Sequence, residues 1–254
     1  MTFTVGHPLK PNDMDGRPRY LPIADALMRE TAMLDAVAGG VVPQVLVWHS
    51  EPCLVVPRRL AASASFPAAA RNLEPRGLQV LVRDTGGDAV IQGSGVVNVS
   101  MAFAIPAHLP DRIGAAYKML CAPLMSLLGE HDIETANGAV PGAMCDGAFN
   151  VTAVGRKLAG TAQRWRRARS GDGGSGFAVL GHLALSVDID HAAAADAVNA
   201  FYAAAGIESR VHGDGHVNLA ELLPADGPAT ADTLTGSLLS HYIAAARRHQ
   251  FDLP

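Results

Sequence analysis

Apolar positions recur at two different spacings along the chain, and the changes between them predict a series of helices and strands. Residues 22–38 place Ile23, Leu27 and Leu34 near helical spacing. Pro22 stands at the first turn, and a Gly-Gly pair follows the segment. This pattern predicts the first helix over 22–38.

Runs rich in β-branched residues and bounded by turn residues are predicted as strands. They lie at roughly 44–49, 52–57, 79–83, 89–92, 95–104, 149–154, 157–165 and 177–187. Further helices are predicted at 58–72, 113–128, about 191–205 and about 231–249, and residues 169–176 as a flexible loop. Because helices and strands do not alternate one by one, the order favours an α+β fold in which helices cover a mixed, largely antiparallel sheet.

The predicted elements divide the chain into an arm and one domain. Residues 1–20 have no clear periodicity and are expected to form an irregular N-terminal arm. Residues 21–254 are expected to form a single domain, in which 190–254 make a mainly helical C-terminal layer. The length of 254 residues is compatible with one large domain.

Composition excludes several classes of protein. Hydrophobic residues make up 49% of the chain and charged residues 17%, which suits a folded core and argues against general disorder. The net charge of −4 disfavours a dedicated nucleic-acid binder. We expect no membrane span and no secretory signal, because no apolar run reaches about 18 residues and the N-terminus lacks an apolar segment. Three scattered cysteines without a CxxC pair predict neither a disulfide framework nor a zinc site, and a cytoplasmic protein is expected.

Three segments carry residues with candidate chemistry, and each has an ordinary structural alternative. The Gly86-Gly87 turn lets backbone N–H groups approach an anionic ligand, or it is only a turn. Lys157 opens a strand among small residues and could neutralise a carboxylate, a phosphate or an oxyanion, or it is an exposed edge lysine. His182 lies in an apolar strand, where it is either a ligand contact or a core histidine.

Read in order, these segments resemble the lipoate–protein ligase branch of the biotin/lipoate protein ligase superfamily. The first contains RDTGG at 83–87, followed by Gln92 and by NVS at 98–100. The second, GRKLAGTAQ at 155–163, matches the family's lysine block in full, and the third begins with His182 before LAL. The resemblance covers roughly residues 22–190 and implies the catalytic-domain fold of that superfamily.

The resemblance implies an enzyme that attaches lipoate or octanoate to the lysine of a lipoyl carrier domain through lipoyl-AMP, with ATP and Mg²⁺. It implies that Lys157 contacts the acyl carbonyl and phosphate, that Gly86-Gly87 closes over the intermediate, and that Arg83 lines the pocket. Further substrate or nucleotide contacts are expected from Thr85, Asn98, Gly160, Thr161, Ala162 and His182. The carrier would be a 2-oxoacid dehydrogenase subunit or a glycine cleavage H-type protein. No nucleic acid or membrane is expected as a partner, and no residues are predicted as metal ligands.

The chain departs from the family pattern at three positions of the first block. Val82 replaces an arginine, Asp88 the third glycine and Gln92 the usual histidine. A carboxylate near a phosphate is repulsive unless it binds Mg²⁺ or points outward. The chain is also short for the accessory domain that such ligases commonly carry, so an accessory ligase subunit is a further expected partner.

Cys145 supplies an alternative to the ligase. Octanoyltransferases of this superfamily use a cysteine a little upstream of the lysine block, and Cys145 lies 12 positions before Lys157. It would then form an acyl-thioester with a group delivered by acyl carrier protein, without a cofactor. The other interpretations are a small buried thiol at this position and a non-catalytic acyl-binding or accessory subunit.

Two further polar segments are open to interpretation. The basic run 164–169 is either a solvated strand edge or a docking patch for an acidic carrier domain. His212, Asp214 and His216 lie in one loop, but their spacing lacks a strong ligand pattern and predicts no metal site.

Overall fold

A computed structural model describes residues 18–169, 175–223 and 227–252, and within them the chain forms two β-sheets flanked by helices. The strands are β1 (Arg19–Tyr20), β2 (Gln44–His49), β3 (Cys53–Pro57), β4 (Gln79–Arg83), β5 (Val90–Gln92), β6 (Val96–Pro106), β7 (Ala136–Gly138), β8 (Asn150–Ala153), β9 (Arg156–Arg169) and β10 (Ser175–Ser186). The helices are α1 (Ile23–Ala38), α2 (Arg58–Ala61), α3 (Phe66–Arg71), α4 (Arg112–Gly129), α5 (His191–Ala205), α6 (Leu219–Leu222) and α7 (Gly227–Asp252), with a 3₁₀ turn at Glu74–Arg76. The predicted α+β fold with a mixed, largely antiparallel sheet is confirmed.

The larger sheet has the strand order β1-β2-β6-β10-β9-β8-β7. Only β1 and β2 pair in parallel, and every other neighbouring pair is antiparallel. One face packs against α1 through Ala102 and Leu180. The opposite face packs against α4 and α7 through Met101 and Phe103. Helices on both faces explain why β6 is apolar along almost its whole length.

The smaller sheet has the order β4-β3-β5, with β3 parallel to β4 and antiparallel to β5. Leu54 and Val56 of β3 pack toward α5. Cys53 and Val55 alternate with them and pack toward Trp48 of the larger sheet. The two sheets therefore face each other near α1, and a pocket lies between them.

Most predicted elements are confirmed, with small changes at their ends. The predicted bounds of β2, β4 and α5 coincide with those in the structure. The predicted helix over 58–72 is instead two short helices, because Pro67 occupies the first turn of α3 and starts a new helix there. Sequence patterning did not predict β1, β7 or α6, which span only two to four residues each.

Parts of the predicted organisation fall outside the described residues. Of the predicted arm, residues 1–17 lie outside them, and Arg19–Tyr20 forms β1. Of the predicted loop 169–176, residues 170–174 lie outside them, while Arg169 ends β9 and Ser175 begins β10. The described elements after β10 are helices, and the division into an arm and one domain stays a prediction. None of the helices in the described ranges combines the length and apolar content that a membrane span requires.

Candidate active site

A narrow, mainly apolar pocket lies between the two sheets and beneath α1. Counting the space at its mouth, it encloses about 480 Å³. Six of the candidate site residues from the sequence line it: Arg83, Cys145, Gly160, Thr161, Ala162 and His182. Its remaining walls come from α1, β2, β3, β5 and β10, namely Ile23, Leu27, Glu30, Trp48, Val55, Val90, Gln92 and Ala184. Such a slot suits an unbranched acyl chain.

The thiol of Cys145 lies at this pocket and meets the glycine turn. The backbone N–H of Asp88 donates to its Sγ at 3.0 Å, and Nη2 of Arg83 lies 3.9 Å from the same atom. Gly87 has a φ of +98°, and a Cβ there would lie 2.5 Å from the sulfur. Glycine is therefore required at 87 both by the backbone conformation and by the closeness of the thiol.

Arg83 holds the glycine turn in place from the end of β4. Its guanidinium donates to the carbonyls of Gly86 at 2.9 Å, Asp88 at 2.7 Å and Val55 at 3.1 Å. Burial lowers the pKa of Arg83, and the nearby Cys145 opposes that effect. An arginine remains charged in proteins, so the turn and the thiol share one buried positive charge.

Lys157 binds the backbone of the loop that carries this thiol. Its Nζ donates to the carbonyl of Met144 at 2.6 Å and to that of Cys145 at 2.7 Å. These bonds use two of the three donors of an ammonium group. The absent side chain of Gly160 leaves space next to Nζ, since a Cβ there would lie 3.2 Å from it. Burial lowers the pKa of Lys157 to about 8, against the opposing charges of Cys145 and Asp146.

The aspartate that replaces the third glycine turns its carboxylate away from the pocket. Asp88 forms an ion pair with Arg59 of α2, and its side chain is 43% exposed. Arg59 also donates to the carbonyl of Gly87 at 3.1 Å. The substitution therefore leaves only the main chain of residue 88 facing Cys145.

A buried polar network closes the pocket below α1. Nδ1 of His182 lies 2.6 Å from Glu30, which also accepts from Ser100 at 2.6 Å. Nε2 of His182 lies 3.1 Å from the amide oxygen of Asn98. Gln92, at the position of the usual histidine, exchanges two hydrogen bonds with Asn98, at 3.1 and 2.8 Å. His182 is thus held by polar partners inside an apolar wall.

Other candidate residues lie away from the pocket lining. Thr85 is buried and lines a groove beside α1 that shares Leu27, Glu30 and Arg83 with the pocket. Asn98 is buried outside the pocket lining and contacts His182, which is part of it. Cys53 and Cys121 are buried, and burial raises the pKa of their thiols to about 12 and about 11. Neither has the surroundings of a reactive cysteine.

Two of the four arginines in the basic run on β9 form ion pairs. Arg164 forms an ion pair with Asp84 at 2.6 Å, and Arg166 pairs with Asp35 of α1. These contacts fit the interpretation as a polar strand edge. The docking patch stays a prediction.

Sequence reasoning missed three contributors to the site. Glu30 interrupts the buried stripe of α1, and a charge on an apolar helix face was a signal that could have revealed it. The backbone N–H of Asp88 left no signal, because a sequence shows only side chains. His216, which accepts from the N–H of Met144, was weighed only as a metal ligand.

The chain is similar to proteins of lipoate attachment. The family model described as the lipoyl protein ligase A/B catalytic domain matches residues 22–242. An octanoyl-[GcvH]:protein N-octanoyltransferase of Kyrpidia tusciae is 38% identical over 184 residues, which make up 71% of this chain and 62% of that protein. An uncharacterized protein of Cupriavidus necator is 35% identical and aligns with 89% of this chain and 90% of its own length.

Solved structures agree with these relatives at the level of the fold. A lipoate–protein ligase A bound with ATP superposes with a TM-score of 0.61 and 15% identity, covering 91% of this chain and 93% of that one. The chain therefore belongs to the lipoyl protein ligase A/B catalytic domain family, within the biotin/lipoate protein ligase superfamily.

Proposed function

We propose that this protein is an acyltransferase that moves an octanoyl or lipoyl group between lipoyl carrier proteins through a thioester on Cys145. The observation that carries the proposal is the position of the Cys145 sulfur. Cys145 lines an apolar slot, and its sulfur lies 3.0 Å from the Asp88 backbone nitrogen and 3.9 Å from the Arg83 guanidinium. Both groups stabilise a sulfur anion, which is the nucleophilic form of cysteine.

The proposed donor is an octanoylated glycine cleavage H-type protein, and the acceptor is a lipoyl domain of a 2-oxoacid dehydrogenase subunit. The name of the Kyrpidia tusciae relative describes octanoyl-GcvH as the donor of that protein. An octanoyl acyl carrier protein carries the same acyl group as a thioester. Both proteins are therefore to be tested as donors.

In the first half-reaction, the Cys145 thiolate attacks the acyl carbonyl carbon. The bond between sulfur and carbon forms and the carbon–nitrogen bond of the donor amide breaks. The leaving lysine nitrogen takes up the proton that the thiol lost on ionising, and departs as a neutral amine. In the second half-reaction, the neutral amine of the acceptor lysine attacks the thioester. The new amide forms, the carbon–sulfur bond breaks, and the proton of the attacking amine returns to the sulfur.

Lys157 is proposed to stabilise the oxyanion that develops on the acyl oxygen in both steps. Two of its donors are fixed on the carbonyls of Met144 and Cys145, and the third has room on the side of Gly160. A preorganised ammonium in a water-poor site stabilises a developing negative charge strongly. The same two bonds hold the nucleophile's backbone next to that ammonium.

The ATP-dependent ligase, which leads in the sequence interpretation, is the second candidate. The ligase is favoured by the two cations Arg83 and Lys157, because positive charges suit the phosphate of an acyl-adenylate. A ligase also needs Mg²⁺ beside the phosphates. Of the carboxylates in the glycine turn, Asp84 pairs with arginines of α2 and β9, and Asp88 pairs with Arg59. These residues do not fit a Mg²⁺ site as they stand.

The test measures the intact mass of an apo lipoyl domain after incubation with the protein. Separate reactions contain octanoylated H-type protein without ATP, octanoyl acyl carrier protein without ATP, and free lipoate with ATP and Mg²⁺. We expect an octanoyl mass gain in the first reaction, and its loss in Cys145→Ser. The buried Cys121→Ser variant is the matched control and is expected to retain transfer.

Each other outcome identifies a different function. A gain only with acyl carrier protein keeps the thioester and changes the donor. A gain only with lipoate and ATP, unaffected by Cys145→Ser, overturns the proposal in favour of the ligase. No gain in any reaction supports a non-catalytic subunit or an enzyme that needs an accessory subunit.

A further inference from the structure

The backbone that carries Cys145 is held in an unfavourable conformation by groups outside its own loop. Cys145 has a φ of +50°, in the left-handed region that residues with a side chain rarely occupy. Lys157 donates two hydrogen bonds that hold this backbone, one to the carbonyl of Met144 and one to that of Cys145. A third hydrogen bond is donated by the N–H of Met144 to Nε2 of His216, at 3.2 Å. The Met144 peptide groups are thus fixed on both sides.

His216 belongs to a segment, residues 212–217, that binds both halves of the candidate site. Its backbone pairs with the start of β9, where the N–H of Lys157 donates to Gly215 and the N–H of Val217 donates to Lys157. The N–H of His212 donates to the carbonyl of Gly142. Gly142 lies in the cysteine loop, residues 139–149 between β7 and β8. The segment therefore fixes the distance between the Lys157 strand and the cysteine loop.

The ring of His216 is suited to act as a hydrogen-bond acceptor. It is buried and stacks on His191, with ring centroids 4.9 Å apart. Burial, followed by the charges of His191 and Lys157, lowers the pKa of His216 to about 4, against the carbonyls of His212 and Gly213. A neutral imidazole has one ring nitrogen with a free lone pair, and here that nitrogen faces Met144.

We propose that His216 is a positioning residue for the acylation of Cys145: by accepting the Met144 N–H, it holds the cysteine sulfur against the Asp88 N–H and the acyl pocket. The inference rests on the proposed thioester function. It assigns to His216 no contact with the substrate. Its effect is expected on the rate of acyl transfer to sulfur and not on donor binding, because the pocket walls do not include it.

The test compares two substitutions of similar length that differ in a single property. His216→Gln retains a neutral acceptor near the position of Nε2, whereas His216→Met removes it. His191→Phe is the control, because it keeps an aromatic ring in the stack and leaves the bond to Met144 untouched. For each full-length variant, single-turnover octanoylation by octanoylated H-type protein is followed by intact mass over a range of donor concentrations.

We expect His216→Met to acylate about tenfold more slowly or worse, with half-saturation by donor unchanged, since one buried hydrogen bond to the nucleophile's backbone is lost. His216→Gln and His191→Phe are expected to stay within about threefold of the unaltered protein. The proposal is overturned if His216→Met acylates normally, or if His216→Gln is folded and as slow as His216→Met.

A second measurement needs no variant and remains decisive if His216→Met does not fold. Nitrogen-15 NMR of the unaltered protein reports the tautomer of His216 and the coupling across its hydrogen bond. We expect the neutral Nδ1–H tautomer, with a coupling between Nε2 and the Met144 amide nitrogen. An Nε2–H tautomer, which would leave no acceptor toward Met144, overturns the inference.

Failure of this inference differs from failure of the proposed function. If only the inference fails, Cys145→Ser abolishes transfer and His216→Met does not slow it. If the function fails, either Cys145→Ser retains transfer or the unaltered protein shows none. Alkylation of the Cys145 thiol by iodoacetamide then still measures whether His216 positions the sulfur, with His216→Met expected to change its rate and His216→Gln to restore it.

Discussion

At the scale of the residue, the ammonium of Lys157 predicts how the rate of acylation depends on pH. Burial lowers the pKa of this group from 10.5 to about 8, so it loses its proton well below the ordinary range of lysine. A neutral amine stabilises an oxyanion far less than an ammonium does. We expect the acylation rate of Cys145 to fall as pH rises through about 8, measured by single-turnover intact mass.

Lys157→Arg is the diagnostic variant, because arginine keeps its charge across this range. Its acylation is expected to be slower at pH 7, but without the alkaline decline. A decline of equal midpoint in Lys157→Arg would show that another group titrates. The free energy of unfolding is expected to change in the opposite direction. Between pH about 8 and 10.5, Lys157 is protonated in the unfolded chain but neutral in the folded protein. Raising the pH through this range therefore stabilises the folded state.

The glycine turn offers a second prediction, with its own internal control. A Cβ at Gly87 would lie 2.5 Å from the Cys145 sulfur, whereas a Cβ at Gly86 would meet nothing within 4 Å. Gly87→Ala is expected to lower the acylation rate about tenfold or more and to destabilise the fold by about 1–2 kcal/mol, because alanine is strained at a φ of +98°. Gly86→Ala is expected to stay near the unaltered protein in both assays.

The measurements are acylation kinetics and chemical denaturation of the two alanine variants. Equal behaviour of Gly86→Ala and Gly87→Ala would contradict the close approach of the turn to the thiol.

At the scale of the element, α1 combines packing with an internal charge. Its buried stripe contains Ile23, Met33 and Leu34 in helical spacing, but it also contains Glu30. Glu30 accepts from Ser100 and lies 2.6 Å from His182, so the helix and two strands share one carboxylate. A carboxylate inside an apolar stripe indicates that α1 contributes a polar contact to the site as well as apolar packing.

Removing that carboxylate tests the network. Glu30→Leu is expected to cost about 3–5 kcal/mol in unfolding free energy, because it leaves the polar groups of His182 and Ser100 buried without an acceptor. Glu30→Gln, which retains an oxygen, is expected to cost less. Urea denaturation of both variants measures the difference, and a Leu variant as stable as the Gln variant would refute the network's contribution.

The helices and strands also show which elements the hydrophobic pattern of the sequence can predict. Periodicity predicted α1, β4 and α5 nearly to the residue, because each is long enough or sharply enough bounded to display its repeat. It did not predict β1 or β7, because strands of two or three residues have no repeat to read. It merged α2 and α3, since alanine and arginine continue a helical composition across the break before Pro67.

At the scale of the whole molecule, the site is assembled from segments distant in sequence. Motifs predicted that Arg83, Lys157 and His182 belong to one site. In the structure, Arg83 and His182 line one pocket, and Lys157 binds the backbone of Cys145, which also lines it. The sequence could not show that the Asp88 main chain, and not its side chain, faces Cys145. Nor could it show that segment 212–217 braces the cysteine loop, because that contact depends on where the chain returns after α5.

The two sheets enclose an apolar pocket, and Cys145 is one of the residues that line it. Under the proposed function, the acyl group is expected to become covalently attached to this cysteine without any nucleotide. The most direct measurement is the intact mass of the protein itself after mixing with octanoylated H-type protein in the absence of ATP. We predict one added octanoyl group on Cys145, absent in Cys145→Ser and discharged by an apo lipoyl domain. No adduct on the protein, together with transfer that requires ATP, would contradict it.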